Sequence, residues 1–219
     1  MGILMGNDMY DGGNKMRHFN KFSLLIIFTL LLTGCTELDK EQLQSNSEMT
    51  IETLSLSDKE SLLISKTGVG HIEYFRLNGT LHEDDDLQFS VELYEKGKFK
   101  QELLKTFGQI ETNFKKEIIS FAVIDMQDEN HSLKLVSGIP SGLASTFYSN
   151  NMSAFSFGKL INEKVTLEKN KPIYLAAWLG TTQNRLRSIG DENGQLPLGI
   201  EEYELAFLYK VLLTNRKEE

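Results

Sequence analysis

The chain has 219 residues, 23 basic and 31 acidic side chains, a formal net charge of −8 and one cysteine. That charge argues against a nucleic-acid partner and against direct electrostatic adhesion to anionic lipid. A single thiol excludes an internal disulfide framework, and the length suits one domain or two small ones.

Residues 1–15 include Asp8 and Asp11. Acidic residues are out of place ahead of an export signal, so the natural start is expected at Met16. From there the chain reads MRHFNKFSLLIIFTLLLTGC. Arg17, His18 and Lys21 make a basic start. Phe22 to Leu32 is an apolar run broken by one serine and one threonine, and Leu32-Thr33-Gly34-Cys35 closes it. The run falls short of the roughly 20 residues that a spanning helix needs, and its charge order is that of a signal peptide. The pattern resembles the lipobox of bacterial lipoproteins. That resemblance implies a diacylglyceryl thioether on Cys35, cleavage just before it, and often acylation of the new amino group. Two acyl chains anchor stably where one, at about 0.8 kcal/mol per buried methylene, does not. The implied partner is a membrane, reached through the lipid on Cys35. The implied location is the outer face of the cytoplasmic membrane, or the outer membrane in a diderm host. Lys15, Arg17 and Lys21 against Asp8 and Asp11 precede Cys35, which leaves about −9 on the remainder. Lipid, not a basic patch, is expected to hold the protein.

The expected organisation is a signal peptide over 1–34, a lipidated N-terminus and tether over 35–49, and a single β-rich domain over 50–219. Thr36 to Met49 is polar with isolated leucines and reads as tether or short surface helix. Beyond it, alternation dominates. Leu87, Phe89, Val91 and Leu93 oppose Gln88, Ser90 and Glu92, the period of a strand with one wet face. Glu95 to Lys98 is a glycine turn, and Phe99 to Phe107 its hairpin partner. Gly70 to Leu81 forms another strand, with Asn78-Gly79 as a turn signal. Lys116 to Met126 is apolar on both faces and is expected to be central. His131 to Val136 and Glu163 to Glu168 are shorter strands. Pro172 to Gly180 is again two-faced, with Ile173, Leu175 and Leu179 opposing Tyr174, Ala176 and Trp178. Tyr203 to Leu213 keeps period two over six apolar positions, which favours strand, although its residues also suit a helix. The fold class is all-β and mostly antiparallel, a β-sandwich or barrel-like domain behind the N-terminal signal helix.

Three stretches are candidates for function. Ser137 to Gly158 carries no charge but includes Phe147, Tyr148, Phe155 and Phe157 among small polar residues. Such a mixture suits a recognition surface, and equally a core. Thr181 to Gly199 is a long link between two strong strands, with Arg185 and Arg187 spaced to meet a carboxylate or phosphate, or simply solvated. Glu83 to Asp86 and Asp125 to Asn130 invite a calcium reading but lack the glycine bend and ligand spacing, so no metal is expected. His71, His82 and His131 form no zinc motif, and Gly138 to Gly142, GIPSG, misplaces the serine of a nucleophile elbow. No cofactor is implied. These features favour a non-enzymatic lipoprotein that displays an acidic binding or structural domain to an envelope protein or glycan. The alternatives are an envelope hydrolase with an unrecognised site and an inhibitor or immunity-type lipoprotein.

Overall fold

The computed structural model describes residues 48–107, 111–129, 131–183, 186, 188–190 and 192–216. The expected signal peptide, Cys35 and nearly all of the tether lie outside them, as do Arg185 and Arg187. The described residues belong to one compact unit, Asn46–Glu219.

Among the described residues, eleven strands form two antiparallel sheets. They are β1 Thr50–Thr53, β2 His71–Thr80, β3 Asp85–Glu95, β4 Lys98–Thr106, β5 Asn113–Asp125, β6 Ser132–Ile139, β7 Gly142–Ser149, β8 Ala154–Lys159, β9 Val165–Thr166, β10 Ile173–Thr181 and β11 Leu205–Asn215. The first sheet runs β7-β6-β5-β2-β1-β9 and the second β4-β3-β11-β10-β8. A short helix, α1 (Asp58–Ser65), follows β1 and opens on a Ser57–Glu60 capping box. The fold is a sandwich, and the expected alternations are the cause. On β3, Leu87, Phe89, Val91 and Leu93 are buried in the core, as are Phe75 and Leu77 of β2 and Ile119, Phe121 and Val123 of β5. Rings meet across the gap, Phe121 on Tyr209 at 5.4 Å and Tyr148 on Phe207 at 5.2 Å. The Tyr209 hydroxyl donates to the Gly138 carbonyl at 3.3 Å, and burial pushes that phenol well above its ordinary pKa.

The C-terminal segment is the strand β11, central between β3 and β10. The helix alternative fails because each face of β11 meets apolar partners. Phe207, Tyr209 and Val211 enter the inter-sheet core, while Ala206 and Leu208 join a second cluster on the sheet's other face. That second cluster includes Tyr94, Tyr174, Ala177 and Leu179, covered by Ile189, Ile200 and Tyr203 of the link between β10 and β11. The link is stitched down by backbone: Glu192 and Gly194 donate to the Leu160 carbonyl at 3.1 Å each, and Tyr174 donates to Gly194 at 2.9 Å. It therefore serves as a cover, which accounts for the two-faced apolar pattern of β10.

Four expectations are corrected. On β10 the faces are not those of simple alternation. The register with β11 slips between Tyr174 and Ala176, so Leu175 is an extra residue. The bulge puts Trp178 with Ile173 and Leu175 in the main core and sends Leu179 to the other face. Asn78-Gly79 is no turn. Both residues lie inside β2, opposite a bulge where Lys116 is inserted at φ 59°. The Asn78 side-chain oxygen accepts from the Lys116 N–H at 2.9 Å, satisfying the group that the bulge would orphan. The strand expected over Glu163 to Glu168 shrinks to Val165–Thr166. Finally, β5 is central, but its outer face is only partly covered, with Ala122 buried and Ile118 exposed.

Candidate functional site: a lysine-bearing cleft beside an open sheet edge

The β3–β4 hairpin turns on Lys96-Gly97, both at positive φ, as a two-residue loop requires. Its tip is held from behind: a Cβ on Gly97 would lie 2.8 Å from the Glu201 Cα. This positions Lys96, Lys98 and Lys100 along one wall of a cleft of about 510 Å³. The opposite wall is Tyr148, Ser149, Asn151 and Met152, where β7 ends and the chain crosses to β8. Lys100 pairs with Glu95 at 3.2 Å. Among the described residues, Lys96 and Lys98 have no ion-pair partner. Burial, and then the nearby Glu95 charge, raise the Tyr148 phenol above its ordinary pKa. Glu95 and Glu204 line the cleft as well, the first paired with Lys100 and the second accepting from the Thr182 hydroxyl at 2.9 Å. Three lysines against two carboxylates leave the lining net positive, and the Lys96 and Lys98 ammonium groups can hold an acidic ligand by charge-assisted hydrogen bonds.

The four aromatics of the uncharged stretch do not share one surface. Alternation along β7 turns Tyr148 inward onto Phe207 and leaves Phe147 outside, 59% exposed, with the Lys134 ammonium 6.0 Å from its ring centroid. Phe155 stacks on Trp178 at 5.4 Å and Phe157 lies 6.0 Å from Phe121, both at the far edge of the sandwich. His71 caps that edge, 4.8 Å from Phe155. His82 lies just past the other end of β2, and His131 precedes β6, so the three histidines are dispersed.

The acidic runs have structural partners. Asp85 pairs with Lys169, and Asp86 accepts from the Leu87 N–H at 2.9 Å. Asp125 and Asp128 accept from the Gln127 and Ser132 N–H groups at the β5–β6 turn. Among the described residues no group of three or more His, Cys, Asp or Glu is placed to hold a metal ion.

A buried polar cluster sits on the outer face of the second sheet. Glu92 accepts from the Tyr94 and Tyr174 hydroxyls, each at 3.0 Å, and from the Lys210 ammonium. Lys210 also donates to Glu102 at 2.9 Å. Burial alone would lower the Lys210 pKa, but the two carboxylates outweigh it and raise it. Burial likewise opposes ionisation of Glu102, yet hydrogen bonds from Lys105 and Lys210 hold it below the carboxylate range. Every member is satisfied within the cluster, so it reads as a structural pin.

The lysines of the cleft were legible only as parts of a hairpin, Lys96 and Lys98 in the turn Glu95 to Lys98 and Lys100 in the strand after it. The signal that could have singled them out is three lysines at alternate positions in an acidic chain. No curated protein and no solved structure matches this chain. A family model described as the YgaN domain matches residues 50–213. The match runs from the first residue of β1 to near the end of β11, so it takes in both sheets, the cleft and the polar cluster. The chain therefore belongs to the YgaN domain family.

Proposed function

We propose that this chain is an exported lipoprotein, anchored through Cys35, whose sandwich is a binding domain held outside the membrane. The observation that carries the reading is the order of features. A basic, apolar and small-residue leader ends at Cys35, and the folded domain begins at Met49 and Thr50, both buried. The intervening polar residues would link the anchor to the domain. An acidic domain on such a tether stays off an anionic surface and exposes its cleft to partners. The binding role is supported by a cleft that offers charge and hydrogen-bond donors. Growth with labelled palmitate tests the anchor. The wild-type chain is expected to take up label and sediment with membranes, and Cys35→Ala to remain unlabelled. An unlabelled wild-type chain would refute the anchor.

A further inference from the structure

The two sheets expose four edges, and three are protected. β4 carries lysines and two register slips, β9 is two residues long, and β8 ends in Lys159. β7 is different. Its sequence, GLASTFYS, is eight residues without a charge or a proline, and among the described residues its one strand partner is β6. Asn150 N–H donates to the His131 carbonyl at 3.0 Å, in register with the β6–β7 pairing. By the alternation of an antiparallel ladder, the backbone groups of Leu143, Ser145, Phe147 and Ser149 then point away from β6. Among the described residues they have no partner. This edge ends at the cleft, where Lys96 and Lys98, with no ion-pair partner among the described residues, share the lining with Tyr148 and Ser149.

We propose that β7 is a docking edge for an extended, acidic segment of a partner protein, which adds as a seventh strand and places carboxylates against Lys96 and Lys98. Main-chain hydrogen bonds would supply affinity, and the lysines would set register and charge preference. A second copy of this chain fits poorly. Its β7 brings no acidic side chain to the lysines. The proposal rests on the reading of the sandwich as a binding domain and does not depend on Cys35.

The test uses the detergent-solubilised full chain and an amidated peptide of about nine residues that alternates valine or threonine with glutamate, beside a twin with lysine for glutamate. The glutamate peptide is expected to bind, the twin not. Amide exchange at Leu143, Ser145, Phe147 and Ser149 is expected to slow on binding. Ser145→Pro removes one outward N–H and spares the β6 ladder, so it is expected to abolish binding. Should that variant misfold, Lys96→Glu with Lys98→Glu, at exposed positions, is expected to weaken binding about tenfold or more. Four results would overturn the proposal: no binding at about 1 mM peptide, equal binding of the lysine twin, binding that leaves the four amides unprotected, or a dimer of this chain that protects them instead. A chain that binds the peptide but takes no palmitate loses only the anchor. One that is labelled but ignores the peptide loses only the docking edge.

Discussion

Lys210→Met is the sharpest probe of what holds the second sheet together. In the wild-type protein the Lys210 ammonium sits between Glu92 and Glu102, and the side chains of Lys210 and Glu92 are 12% and 8% exposed. Methionine preserves the stem and removes the charge. Glu92 then keeps two neutral phenol donors but loses its counter-ion in a site that water barely reaches. Breaking a buried pair by deleting one partner costs about 3–5 kcal/mol, out of a total stability of about 5–15 kcal/mol. With a urea slope of about 2 kcal/mol per molar, the unfolding midpoint should fall by about 2 M. The double variant Glu92→Gln with Lys210→Met removes both charges and keeps an acceptor for the two tyrosines. It is expected to recover a large part of the loss. The pH dependence has a definite sign. The raised Lys210 pKa contributes stability that is fully present below the ordinary lysine value of 10.5 and is lost as pH climbs through the folded-state value. The lowered Glu102 pKa contributes above the ordinary 4.5 and is lost as pH falls through its folded-state value. Lys210→Met should therefore flatten the alkaline limb of the stability profile. A single-variant loss below about 1 kcal/mol, or a double variant as unstable as the single, would refute the buried-pair account.

Gly180→Ala should destabilise by about 1–3 kcal/mol and lower the melting temperature by several degrees, because the new Cβ would lie 2.4 Å from the buried Trp178 ring. Thermal unfolding by circular dichroism would register it. Phe147→Ala should change stability by less than about 0.5 kcal/mol, since that ring faces solvent over Lys134. Phe157→Ala should cost about 2 kcal/mol or more in the same denaturant titration, because its ring packs against Phe121 and His71.

Alternation along β3, β5 and β11 was enough to mark these segments as strands, and the absence of alternating helical segments pointed to a sandwich or a barrel, between which the two sheets decide. Those are local signals: a side chain's face follows from its neighbours two residues away. Such signals fail wherever the ladder skips a residue. The extra Leu175 reassigns the faces of β10, and Lys116 turns Asn78-Gly79 from an apparent hairpin turn into the partner of a bulge. Placement across the sandwich is non-local as well. The division of Phe147 from Tyr148, and of both from Phe155 and Phe157, depends on which strand each rides and what lies opposite. The long link after β10 reads as exposed loop because its apolar residues follow no strand or helix period, and only folding sets Ile189, Ile200 and Tyr203 on one sheet face while Leu186, Leu196 and Leu198 stay exposed. The cleft has the same origin. Three lysines on one hairpin and an uncharged stretch some fifty residues on carry no shared pattern, and pairing order alone brings β4 and β7 to the same side of the molecule. Composition and alternation therefore speak to fold class, because that depends on sums and short-range periodicity. The docking edge and the buried Glu92–Lys210 pin depend on contacts between distant segments, and they exist only once the two sheets close on each other.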